Sequence, residues 1–326
     1  MRTNTISNNS VLVVHGRGFK PPAESLQDVS CAALRAGVQR DYPEHLHLYD
    51  EASVALAYYG DLSGDVLGNQ QQEYDHQIDM GDRQNALNEL RAISARKKFG
   101  IRHYDRRPGK SALPEFFANF VAPSCGLLGL TRALVSRLSP DFAEYLKGDS
   151  DFAQRVRGRV RSEICARLDN GDRVMIISHG TGCVVVYDVL WQLSHDERFV
   201  DRYGGSKIDT WLTLGAPLGD RYIRKHLLSA KGEGVSYPLN VVTWHNVSAE
   251  DDWTCYDNTL ADDFKGMLQQ RVVSTVQDYR VYNLAVRYGK SNPHSSVGYY
   301  NHPRISKILA DWIRTPVIDS DPVLTI

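Results

Sequence analysis

Short, continuous apolar runs alternate along the chain with longer stretches in which apolar positions return every three or four residues. The runs are SVLVVHG (10–16), VALAYYG (54–60), RVMIISHG (173–180), DTWLTLGAP (209–217), NVVTWHNV (240–247) and YRVYNLAV (279–286). Strands that are apolar on both faces suit a parallel sheet buried between helices. Helical periodicity marks 23–40, 151–168, 182–195, 219–228 and 304–314. The alternation predicts an α/β fold with a mainly parallel central sheet flanked by helices.

The rhythm breaks between Asp61 and Asp149. Polar stretches such as GNQQQEYDHQIDMGD and RHYDRRPGK lead into apolar helical segments around LPEFFANFVAP and GLLGLTRALVSRL. So long an interval without a strand is read as an inserted helical cap over 61–149, with the core formed by 1–60 and 150–318 and a tail at 319–326. The other reading is that these helices continue the core. If the cap roofs a site, Phe116, Phe117 and Leu127 offer an apolar lining.

Composition narrows the partners. The 326 residues are 42% hydrophobic and 24% charged, with a formal net charge of −1, so bulk charge favours neither nucleic acid nor an anionic membrane. Five widely spaced cysteines without a CxxC pair read as reduced thiols. The polar start MRTNTISNNS and the absence of a run of about 20 apolar residues predict a cytoplasmic protein without membrane insertion. No HExxH, GxxxxGK[ST] or strand-to-helix GxGxxG occurs, so neither metal nor cofactor is expected.

The chemistry concentrates at SHGTG, residues 178–182. A nucleophile elbow reads G-x-S-x-G: a strand enters a sharp turn, small residues flank it, and a helix leaves. Here the strand, Gly182 and the apolar helix are present, and the central position is Gly180. The other parts occur in the order this chemistry requires. HGRGFKP (15–21) can turn its backbone N–H groups inward, so Arg17 and Thr181 are the candidate oxyanion donors. In NVVTWHNVSAEDDW the acid is Asp251 or Asp252, and Asp252 is favoured. In SNPHSSVGYYNHP the base is His294 or His302, and His294 is favoured.

The set HGRGFKP, SHGTG, TLGAPLG, WHNVSAEDDW with its trailing TLADDF, and PHSSVGYYNHP resembles a family of bacterial α/β hydrolases related to lipases and esterases. The resemblance implies an α/β-hydrolase fold and a triad of serine at position 180, Asp252 and His294, with Gly16, Gly18 and His179 near the substrate. It implies a carboxylic ester or lactone with an apolar portion as the small-molecule partner, cleaved through an acyl-enzyme. Gly180 departs from that pattern. One reading is an inactivated esterase, suited to trapping its substrate; the alternative is a natural non-catalytic binding protein on the same scaffold. Ser178, Thr181 and Cys183 are the neighbours that could otherwise attack, and none is expected to be well placed.

Overall fold

A computed structural model describes residues 8–69, 73–109, 139–231, 236–255 and 259–315. The apolar runs form a six-stranded sheet, with β1 at Asn9–Val14, β2 at Ser53–Ala57, β3 at Arg173–His179, β4 at Ile208–Leu214, β5 at Val241–Ala249 and β6 at Thr275–Val281. The strand order is β2-β1-β3-β4-β5-β6, and all five pairings are parallel. Two residues each from β7 (Val286–Arg287) and β8 (Lys290–Ser291) make a small antiparallel pair.

Alternation along the strands builds two cores. Leu12, Val14, Val174, Ile176, Trp211 and Trp244 face one side, while Val11, Val13, Met175, Ile177, Leu212 and Leu214 face the other. The Trp211 and Trp244 indoles stack with centroids 4.5 Å apart. Helices α1 (Ala23–Asp41), α2 (Gly60–Gly68), α3 (His76–Arg91), α4 (Pro140–Tyr145), α5 (Asp151–Asp169), α6 (Gly182–His195), α7 (Arg221–Arg224), α8 (Ser296–Tyr300) and α9 (Pro303–Arg314) supply the covering layers. Residues of α5 and α6 bury against the first face, and those of α1, α8 and α9 against the second.

Within the expected cap, Leu87 and Leu90 of α3, together with Phe99 and Tyr104, are buried in the same layer as α1 and α9. That part of 61–149 is therefore integral to the second core. The segment bearing Phe116, Phe117 and Leu127 lies outside the described residues.

Two elements differ from the periodicity. The helix expected over 219–228 is only the four residues of α7, capped by Asp220, whose carboxylate accepts from the N–H groups of Tyr222 and Ile223. The last strand lies at Thr275–Val281 rather than 279–286. The downstream apolar residues Leu284 and Ala285 are buried in a loop instead. The side-chain amide of Asn283 holds that loop by donating to the carbonyls of Pro293 and Ser295, at 2.8 and 2.9 Å. Chain order moves outward from β1 to β2 and then returns past β1 to β3, which makes the gap between the β1 and β3 ends the topological switch point. In open α/β sheets, ligands bind at such a crevice beyond the carboxyl ends of the strands.

Candidate functional site

Gly180 follows β3 at φ +55° and donates its N–H to the Leu214 carbonyl at 2.8 Å. This left-handed conformation costs a residue with a Cβ roughly 1–2 kcal/mol, and glycine adopts it freely. Two residues on, a Cβ at Gly182 would stand 2.3 Å from the His15 carbonyl oxygen. Only glycine lets α6 start directly against the loop leaving β1. The β3 turn and the β1 loop are thereby pressed together at the switch point.

His294 enters from the loop after β8. A Cβ built on Gly180 would lie 3.1 Å from its Nε2. Its Nδ1 faces the Asp252 carboxylate at 2.9 and 3.1 Å. Thr254 Oγ1 donates to Asp252 Oδ1 at 2.6 Å and lies 2.8 Å from His294 Nδ1. A hydroxyl has one proton, so the oxygen of Thr254 is an acceptor towards Nδ1–H. This assigns the proton to Nδ1 and leaves Nε2 as the basic nitrogen.

Asp252 is 3% exposed. Burial pushes its carboxyl upward, but the charge of His294 and hydrogen bonds from His294, Thr254 and Tyr299 outweigh it and hold the group at about 2. The Tyr299 hydroxyl donates to Asp252 Oδ2 at 2.8 Å and accepts the Ala249 N–H at 2.8 Å, tying the acid to the end of β5. Room for the Asp252–His294 pair comes from Gly215, at φ +57°, where a Cβ would lie 2.8 Å from Asp252 Oδ2 and 3.0 Å from His294 Nδ1. Thr254, Tyr299 and Gly215 escaped assignment from sequence. The glycine closing the apolar TWLTLG run was the available signal for the last of them.

The His179 ring lies against that of His294, tilted by 38° with centroids 4.5 Å apart, and its Nε2 donates to the His294 carbonyl at 2.9 Å. It is 7% exposed. Burial first, then the neighbouring His294 charge, holds it well below the usual imidazole value, so it is a neutral clamp on the His294 backbone. The loop carrying His294 is also anchored upstream. Arg287 pairs with Asp79 and Asp82 of α3, and Asp79 also pairs with Arg83 at 3.0 Å.

The β1 loop is held by its own polar groups. His15 is fixed through Nδ1 on the Gly16 carbonyl at 2.7 Å and through Nε2, which accepts the Tyr59 N–H at 3.0 Å. The Arg17 N–H donates to Thr181 Oγ1 at 2.8 Å, joining the two expected oxyanion residues directly. Gly18, at φ +86°, donates to Asp141 Oδ2 at 2.7 Å. The Lys20 ammonium donates to the carbonyls of Arg17, Gly18 and Phe19. Burial, then the charge of Arg83, lowers it to about 7. Gly16 abuts the elbow, since a Cβ there would lie 3.1 Å from the His179 carbonyl and 3.6 Å from the Thr181 nitrogen. Beside Arg17 and Thr181 a narrow crevice is lined by Tyr59, Phe142, Tyr145, Phe152, Val156 and Val185.

The competing residues have other work. Asp251 accepts from the Tyr104 hydroxyl at 2.9 Å, away from His294. His302 caps α9, its Nδ1 accepting the Arg304 N–H at 3.0 Å. Ser178 is fully buried, takes the Trp211 indole N–H at 2.9 Å and faces Cys183 Sγ at 3.2 Å. Burial pushes the Cys183 thiol up to about 12. Among the described residues, no cluster of three or more His, Cys, Asp or Glu could hold a metal ion, and no helix is long and apolar enough to cross a membrane. Compared with known proteins, the chain matches no family model, no curated protein and no solved structure.

Proposed function

We propose that this chain is built on the α/β-hydrolase plan and carries the site of a carboxylic ester or lactone hydrolase in which glycine stands at the nucleophile position. The observation that carries the reading is the alignment at Gly180: a left-handed turn between β3 and α6, with His294 Nε2 3.1 Å from its built Cβ and Asp252 on the opposite nitrogen. Those parts follow β3, β5 and β6 in the order nucleophile position, acid, base, while the oxyanion loop follows β1.

With a hydroxyl at position 180, His294 would take its proton and Asp252 would stabilise the imidazolium. The Thr181 and Arg17 N–H groups would receive the charge developing on the carbonyl oxygen. Because Arg17 N–H now engages Thr181 Oγ1, substrate has to compete for that donor. The crevice beside these residues has a volume of about 10 Å³ and includes Ser63 and Asp141 among its aromatic and aliphatic walls, so the expectation of an apolar acyl portion rests on the resemblance. Glycine itself offers no attacking atom, so the acyl-enzyme route is closed to this chain. The second reading, a non-catalytic binder of acyl compounds, follows from the residue itself, since glycine at position 180 supplies no attacking atom.

The experiment is hydrolysis of acyl esters of graded length and a macrolactone by the chain and by Gly180→Ser. Rapid turnover gained with the hydroxyl and lost again in Gly180→Ser/His294→Ala supports the hydrolase. A folded Gly180→Ser that binds these compounds and cleaves none refutes it in favour of the binder.

A further inference from the structure

Away from the elbow, a cavity of about 380 Å³, within the range of small-molecule sites, opens beside α5 and α6. Arg157, Arg161 and Arg198 line it, together with Trp191, Gln192 and Leu228. Trp191 stands nine residues along α6 from Gly182, about 14 Å at 1.5 Å per residue, so this cavity is separate from the crevice at the strand ends. The run RVRGRVR (155–161) supplies two of the arginines. Positions four apart share a helix face, which sets Arg157 and Arg161 on one side of α5. Arg155 and Arg159 serve the other side, pairing with Asp151 and Asp61.

The charges around the cavity do not cancel. Asp196 pairs with Arg198 at 2.6 Å, and Asp149 with Lys231 at 3.2 Å. Arg157 is 3% exposed and has Asp188 Oδ2 3.9 Å from Nη1, beyond hydrogen-bond reach. Both Asp188 oxygens are engaged elsewhere, by the Tyr145 hydroxyl at 2.8 Å and the Leu228 N–H at 2.9 Å. Arg157 Nε and Nη1 are accordingly buried without a hydrogen-bond partner. Arg161 forms no ion pair among the described residues; its Nη1 donates to the neutral Gln192 Oε1 at 2.9 Å. Its guanidinium is fixed over the Phe199 ring at 4.4 Å, with that of Arg198 over the same ring at 5.3 Å. Burial, then the charge of Arg198, lowers Arg161 from its usual value. Arg161 is the cation left over, and it calls for one negative charge.

We propose that this cavity binds a small organic carboxylate, its oxygens taken by Arg161 with the buried charge of Arg157 in support, and its apolar part against Trp191 and Leu228. A planar guanidinium fork matches a carboxylate, and a single negative charge balances the site. The site stands apart from the hydrolase reading, since neither Gly180 nor His294 takes part in it.

The test is a titration of the chain with benzoate, followed through the Trp191 indole N–H resonance, which is assigned by its loss in Trp191→Phe. Benzamide, of the same shape but uncharged, and inorganic phosphate serve as parallel probes. Benzoate should move the resonance saturably, and benzamide should not. Arg161→Gln should weaken benzoate binding at least about tenfold, the effect of losing one charged hydrogen bond. Arg159→Gln, on the other side of α5, should leave it unchanged, and the remaining indole resonances report that each variant is folded. No movement with benzoate, equal movement with benzamide, or equal weakening in Arg159→Gln overturns the proposal. Saturable binding of inorganic phosphate in place of benzoate overturns it as well.

Discussion

Replacing Asp252 with asparagine keeps the shape of the side chain and removes its charge. In the fold the carboxyl is held at about 2, against an ordinary value of 3.8. A native value below the unfolded one makes ionisation stabilising, fully so above about pH 5, with the contribution lost as pH falls through the folded value near 2. The interval corresponds to about 2 kcal/mol. Asparagine also places its amide nitrogen, a donor, against one of the two hydroxyls that donate here, Tyr299 at Oδ2 or Thr254 at Oδ1, which adds to the deficit. For a chain of this length 2 kcal/mol is a Tm difference on the order of 3 °C. Thermal unfolding of the parent and Asp252→Asn, followed by circular dichroism from pH 7 to pH 2, should show the variant lower at neutral pH and the gap narrowing below pH 4. Other carboxyls titrate in both proteins and cancel in the comparison. A gap of constant size over this range, or none at pH 7, would refute the argument that a buried ionised carboxylate supports His294.

Three further outcomes follow from the same geometry. Gly215→Ala forces a Cβ into a left-handed residue and against Asp252 and His294; it should cost about 1–2 kcal/mol and remove the downfield Nδ1 proton resonance of the Asp252–His294 pair. His302→Ala loses the cap of α9 and should cost about 1 kcal/mol in urea denaturation, while leaving hydrolysis by a Gly180→Ser background unchanged. Arg287→Met strips Asp79 and Asp82 of a buried partner and should cost about 3–5 kcal/mol in the same assay.

The sheet was legible because a strand buried on both faces is largely apolar through its middle, as in the VLVV of β1, the VMII of β3 and the TWLTL of β4. The edge strand β6 is not. TVQDYRV is half exposed, so the apolar residues just beyond it drew the expected strand four residues too far, into a loop held by Asn283. Gly180, Asp252 and His294 could be chosen from their order after successive strands. Preference for His294 over His302 depended on the proline that follows the latter, and the helix cap at His302 supplies the structural counterpart. Thr254, Tyr299 and Gly215 left no comparable mark. Their roles arise from contacts between β4, β5 and α8, which local periodicity does not encode. His179 stood beside the elbow in the chain, but its bond to the His294 backbone joins residues 115 positions apart.

The central claim is that the turn at Gly180, His294 and Asp252 form a hydrolase site lacking only a hydroxyl. The most direct measurement is intact and peptide mass analysis of Gly180→Ser after exposure to an alkyl fluorophosphonate, beside the parent and Gly180→Ser/His294→Ala. The account predicts a single adduct at position 180 in Gly180→Ser, none in the parent, and labelling slowed by at least about 10²-fold without His294. A folded Gly180→Ser that takes no adduct, or takes it equally fast without His294, would contradict it.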